Sequence, residues 1–188
     1  MITIPIEISA RHVHLSAEDW RKIFPGDGPT VAKPISQHPQ FIAEERVALQ
    51  GPSGAIEHVG LVGPLRSYSQ VELSWTDAHR LGLHPPLRES GRLNGAAEIT
   101  IIGPEGSISV PAAIIQQRHI HASPTEAQNY GLTDGQAVDV KVEGPRGGTY
   151  TNVIIRIHES FSWRMHVDTD EGNAFDLSPD ATGEVIVA

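Results

Sequence analysis

The chain has 188 residues, of which 39% are hydrophobic and 20% charged, with a formal net charge of −9; this is the composition of a soluble globular protein with room for a sizeable core. The acidic balance excludes general binding to nucleic acid or to anionic membranes, which requires a basic face. Cysteine is absent, which excludes disulfides and thiolate metal sites, so any metal must be held by nitrogen and oxygen.

At the start, Met1 to Ile8 show no basic segment and no long apolar run, so neither a signal peptide nor a membrane span is expected. Ile2, Ile4, Ile6 and Ile8 alternate with Thr3, Pro5, Glu7 and Ser9, the period-two pattern of a half-buried strand. Continued without interruption, that register puts Ala10, His12 and His14 on the isoleucine face. Pro5 points to an edge strand or a strand end, because proline lacks the amide that a central ladder needs. Ser16 followed by Asp19 reads as a capping box opening a short helix through Ile23.

From Gly26 to Gln40 the chain is rich in proline and polar residues and reads as a loop. Strand-like runs follow at Arg46–Leu49, Ala55–Val62, Ile99–Ile102, Val138–Val142 and Tyr150–Ile157, punctuated by Gly51-Pro52, Gly63-Pro64, Gly103-Pro104 and Gly144-Pro145. With 18 glycines, 14 prolines and only 5% aromatic residues, the chain is expected to be mainly β: small barrels or sandwiches with a few capping helices.

Arg11-His12-Val13-His14 has a near-copy at Arg118-His119-Ile120-His121, and Ser123, Pro124 and Glu126 repeat the helix-opening signal. The turn Gly51-Pro52-Ser53-Gly54 resembles Gly144-Pro145-Arg146-Gly147. With one residue inserted, Val59 falls opposite Val153, Glu72 opposite His166, and Thr76-Asp77 opposite Asp170-Glu171. The order of parts thus repeats, as expected of an internal duplication. The expected division is a first half at 1–84, a proline-rich linker at 85–95 and a second half at 96–188.

A His-x-His pair on a strand turns both imidazoles to one face, which makes half of a metal site. A lone pair is more often a hydrogen-bonded or surface feature; two matched pairs, each with a third ligand-type residue, favour metal. The expected sites are His12, His14 and Glu72 for one ion and His119, His121 and His166 for the other. Three protein ligands leave a position open, as in catalytic sites, and zinc is the leading metal for imidazole with carboxylate. His38, His58, His79, His84 and His158 lack such context. Arg66 reads either as an oxyanion-holding guanidinium or as a solvated surface arginine. Arg11 and Arg118 point away from the histidine face and suggest structural roles. Asp168 and Asp170 read as helix-opening acids ahead of imidazole-orienting ones, and Arg88 is a weak anion contact.

The stretches SARHVHLS, GPLRSYSQVELSWTDA, HPPLRESGRL, QRHIHASP and MHVDTDEGNAFDL, in this order, resemble the PduL-like phosphate propanoyltransferases, the phosphotransacylases of propanediol utilisation. The resemblance implies two small β-barrels related by pseudo-two-fold symmetry and a two-zinc site ligated by the six residues above. It implies that Arg66 contacts phosphate and that acyl-CoA and phosphate are the substrates, with acyl phosphate and coenzyme A as products. A homodimer is expected on the same ground. Family members also occur in bacterial microcompartments; without the N-terminal encapsulation segment some of them carry, a cytoplasmic location is expected. Trp75, His79, Ala122 and Gly172 depart from the family pattern, and none is a ligand. Two other readings remain: a two-metal hydrolase of a thioester or phosphoester, and a metal-stabilised binding module without chemistry.

Overall fold

A computed structural model describes residues 1–187. The first elements are β1 (Ile2–Ile8), β2 (His12–His14), α1 (Ala17–Ile23), β3 (Val31–Pro34), β4 (Phe41–Gln50) and β5 (Ala55–Gly63). There follow β6 (Gln70–Leu73), α2 (Trp75–Leu81), β7 (Leu87–Arg88), β8 (Ala97–Ile102) and β9 (Ser107–Gln116). The last are β10 (His119–Ala122), α3 (Pro124–Tyr130), β11 (Ala137–Val142), β12 (Gly148–Ile157), β13 (Arg164–Val167), α4 (Thr169–Ala174) and β14 (Thr182–Ile186). Among the described residues the fold is mainly β with four short helices, as the turn-rich composition indicates. Among the described residues no helix is long and apolar enough to cross a membrane.

The chain forms two compact units: Met1–Ala10 with Gln117–Ala188, and Arg11–Gln116. In the former, β1, β13, β10, β12, β11 and β14 close into a barrel. In the latter, β4, β5, β2, β6, β9 and β8 close a second six-membered ring, because β8 pairs with both β4 and β9; β3 and β7 are short additions to β4 and β9. Closure leaves few bare sheet edges.

The two barrels match strand for strand. β2 runs parallel to β5 and antiparallel to β6, as β10 does to β12 and β13. β6 lies parallel to β9, as β13 does to β1. Even the irregularities recur. The β4–β5 ladder shifts between Val47 and Leu49 and the β11–β12 ladder between Val138 and Val140. In each bulge one non-glycine residue is left-handed, His58 (φ 57°) or Asn152 (φ 54°).

This equivalence corrects the expected division at 84 and 96. β1 corresponds to β9, and each precedes a His-x-His strand that belongs to the other unit. β8 and β9 bury Ile99, Ile101, Ala113 and Ile115 in the same cluster as Val13, Val47 and Leu73. Apolar burial therefore holds Ala97–Gln116 with the first His-x-His copy, although the linear repeat groups that segment with the second.

The same crossing corrects the register of the first strand. β1 ends at Ile8, residues 9–11 are irregular, and β2 begins in the other unit, so alternation does not carry through. Val13 and Ile120 enter the two apolar clusters, and strand alternation turns the flanking histidines to the opposite face. Pro5 is not on an edge strand either. It pairs with Thr182 of β14, and the ladder to β13 starts one residue later, at Ile6, so its missing amide costs no bond there. The loop expected from Gly26 to Gln40 contains β3, a fully exposed strand hydrogen-bonded to β4. Ser16 and Ser123 cap α1 and α3 as expected, and the capping box is complete at Ser123 and Glu126; at Ser16 it is not, because the Ser16 amide donates to Ser69 Oγ at 3.0 Å and not to Asp19.

Candidate metal centres

Strand register assembles the first triad. His12 on β2 lies directly across from Glu72 on β6, and His14 lies across from Gln70. Residues two apart share a strand face, so both imidazoles and the carboxylate converge on one side of the barrel wall. The side chains of His14 and Glu72 are buried and that of His12 is half-buried. His12 Nε2 is 3.5 Å from Glu72 Oε2, and His14 Nε2 is 4.0 Å from Glu72 Oε1. A tetrahedral ion with bonds near 2.1 Å separates its ligands by about 3.4 Å, so the spacing suits one metal. His14 Nδ1 is 3.0 Å from the Val62 carbonyl. A neutral His14 therefore donates from Nδ1 and presents the Nε2 lone pair.

The second triad is built the same way. His119 lies across from His166 on β13, and His121 across from Arg164. His119, His121 and His166 are all buried. His119 Nδ1 is 2.9 Å from the Gln117 carbonyl, which again directs Nε2 outward. His121 is held differently: its ring stacks on Phe161 at 3.8 Å, and neither ring nitrogen has a hydrogen-bond partner. Glu72 Oε2 likewise accepts no hydrogen bond. Leaving buried polar atoms unmatched costs about 1–3 kcal/mol each, unless a further group such as a metal satisfies them. In each triad the ligand-type atoms lie within 4.8 Å of one another. Both triads can therefore hold a metal ion.

Burial, then the neighbouring His12 and Arg66, hold the His14 pKa well below the ordinary imidazole value of 6.5. Burial, then His119, His166 and Arg156, lower that of His121 in the same sense. A neutral imidazole is the metal-binding form. Below pH 6.5 these histidines take up protons when unfolded and resist doing so when folded, so unfolding gains protons as pH falls. The contribution is complete above that value and is lost on acidification. Metal-free protein is expected to show a falling Tm between pH 7 and pH 5; a Tm that rises over this interval would contradict the assignment of buried, neutral histidines.

The remaining residues sort by contact. Arg66 is half-buried, with its amide donating to the Leu15 carbonyl at 2.8 Å and its guanidinium 3.5 Å from Ser90 Oγ. Ser90 Oγ also accepts from Gln70, which donates to Glu72, so Ser90 links the guanidinium to the first triad. Arg11 pairs with Asp77 at 3.1 Å and Arg118 with Glu171 at 2.6 Å. Asp77 and Glu171 stand in the first turns of α2 and α4, so each arginine ties its His-x-His strand to the helix after the third triad residue. Asp168 caps α4 by accepting from the Glu171 amide at 2.9 Å, and Asp170 lies in the first turn. Arg88 donates to the Asn94 and Leu87 carbonyls. His38, His58, His79, His84 and His158 are exposed and join neither triad.

Three contributors were not anticipated from the sequence. Gln70 donates to Glu72 Oε1 at 2.5 Å and to Ser90 Oγ at 2.8 Å, and Phe161 backs His121. Gln70 carries a readable signal, since it stands two residues before Glu72 and shares its face. Ser90 and Phe161 come from irregular segments whose spacing carries none.

A sequence model of the phosphate propanoyltransferase family matches residues 5–178. The phosphate propanoyltransferase of Shewanella putrefaciens is 47% identical over 174 residues, covering 92% of this chain and 82% of that protein. The proteins of that description from Thermotoga maritima and Salmonella typhimurium are 46% and 45% identical, covering 97% and 91% of this chain and 87% and 82% of theirs.

Proposed function

The chain belongs to the phosphate propanoyltransferase family, and on that premise we propose that it interconverts a short-chain acyl-CoA and phosphate with acyl phosphate and coenzyme A, using one zinc ion at each histidine triad. It is a phosphate propanoyltransferase by that membership; propanoyl-CoA and acetyl-CoA are the substrates proposed. The observation carrying the metal reading is the pair of buried triads, in which Glu72 Oε2 and both ring nitrogens of His121 lack hydrogen-bond partners. Zinc is favoured because the donors are imidazole and carboxylate with no thiolate.

His12, His14 and Glu72 would hold one ion and His119, His121 and His166 the other. When bound, the metal supplies Lewis-acid polarisation of the thioester carbonyl and stabilises a departing thiolate. Arg66 binds inorganic phosphate, its planar fork matching two phosphate oxygens, and aligns one of them on the acyl carbon. Holding phosphate and thioester at attacking distance removes much of the entropic barrier, so direct transfer proceeds without an acyl-enzyme. The C–S bond breaks as the C–O bond to phosphate forms, and coenzyme A leaves as the thiolate.

Release of coenzyme A from propanoyl-CoA, measured with and without phosphate, tests this reading. Release is expected to require phosphate and to yield acyl phosphate in equal amount. Phosphate-independent release would make the protein a hydrolase, and no release from metal-loaded protein would leave a binding module.

A further inference from the structure

The first triad contains one carboxylate, and a carboxylate poses a problem that an imidazole does not. His14 and His119 each have one ring nitrogen held by a carbonyl, which leaves the other nitrogen defined as the ligand atom. Glu72 has two chemically equal oxygens, and something must decide which one faces the site.

Gln70 is fully buried and its carboxamide is held at three points. Its Oε1 accepts from the Gly91 amide at 2.8 Å, which fixes the sense of the carboxamide so that its NH2 group faces the carboxylate. Nε2 then donates to Glu72 Oε1 at 2.5 Å and to Ser90 Oγ at 2.8 Å. Glu72 Oε1 is thereby engaged, whereas Oε2, 3.5 Å from His12 Nε2, accepts no hydrogen bond.

The duplicated barrel supplies an internal comparison. Arg164 lies across from His121 as Gln70 lies across from His14. There the third triad residue is His166, and Arg164 is directed to Glu7 at 3.4 Å. The carboxamide occurs where the ligand is a carboxylate.

We propose that Gln70 is a positioning residue for the first metal site: it holds Glu72 Oε1 and so commits Oε2 to the metal. The inference rests on the metal reading above. Through Ser90, which lies 3.5 Å from the Arg66 guanidinium, Gln70 also joins the carboxylate to the arginine of the same site.

The test is zinc titration of the whole chain against a competing chelator, with Tm of the metal-free protein as the control for folding. Wild type is expected to bind two ions. Gln70→Met keeps the length of the side chain and removes both donors. It is expected to weaken one ion by about 10–100-fold, the usual cost of losing a group that orients a ligand, and to leave the other unchanged. Adding His119→Ala to Gln70→Met should then leave no tightly held ion. Ser90→Ala, which keeps Gln70 but frees it on one side, should weaken the same ion by about threefold to tenfold. Two ions held by Gln70→Met at wild-type affinity would overturn the proposal, as would equal weakening of both. Should Gln70→Met fail to fold without metal, unchanged zinc affinity in Ser90→Ala would overturn it. A wild-type protein that binds no zinc would instead overturn the metal reading on which it rests.

Discussion

Replacing His119 by alanine is expected to leave one bound metal ion instead of two and to lower turnover about a thousandfold. Lewis-acid stabilisation of developing charge supplies several kcal/mol, and each 1.36 kcal/mol is worth a factor of ten. His119 is the residue to choose because its geometry is over-determined. Its backbone pairs with His166 on one side and Ile154 on the other, and the Gln117 carbonyl fixes its ring. Alanine keeps both ladders, so the loss falls on the ligand and not on the barrel. Metal content and initial rate, measured beside Tm of the metal-free variant, separate the two effects. A variant with turnover within tenfold of wild type would remove the second triad from the reaction.

The part of the site that the sequence discloses is the part dictated by strand periodicity. His12, His14, His119 and His121 are visible because period two puts residues i and i+2 on one face wherever the strand lies. Glu72 and His166 are visible because turns at Gly51-Pro52 and Gly144-Pro145 anchor an alignment of the two halves. Their positions directly across from His12 and His119 agree with that alignment. The pairing of Arg11 with Asp77 and of Arg118 with Glu171 follows the same alignment one helix further on.

What the sequence conceals depends on which segments meet. Alternation along Ile2–Ile8 says that Ile4 and Ile6 are buried, and they are. It does not say that the strand closes a barrel with β13 and β14 while the next strand, His12–His14, belongs to the other unit. A period is also blind to the sense of a face after an irregular segment, which is why Val13, and not its histidine neighbours, joins the apolar cluster. Ser90 reaches Gln70 across 20 residues of sequence and Phe161 reaches His121 across 40. Both lie in irregular segments, where no periodicity assigns a direction to a side chain.

For Arg66→Ala, the expected result is a rise of about 10–100-fold in the KM for phosphate, with a much smaller change in the KM for acyl-CoA. Hydrogen bonds to charged groups contribute about 1.5–3 kcal/mol, which sets that range. The position supports the role as much as the charge does. The Arg66 amide donates to the carbonyl of Leu15, the residue after His14, and its guanidinium lies 3.5 Å from Ser90 Oγ, the hydroxyl that Gln70 joins to Glu72 of the first triad. Burial and His12 do most to lower the His14 pKa, and the Arg66 charge adds to them, favouring the neutral ring that a metal requires. Losing the arginine therefore affects the anion directly and the imidazole only slightly, and zinc content should stay at the wild-type value. Arg66→Lys should recover part of the phosphate affinity, because an ammonium restores the charge but not the two-pronged geometry. An alanine variant whose phosphate KM stays within about twofold of wild type would exclude the guanidinium from phosphate binding, since that ratio is less than the weakest charge-assisted hydrogen bond supplies.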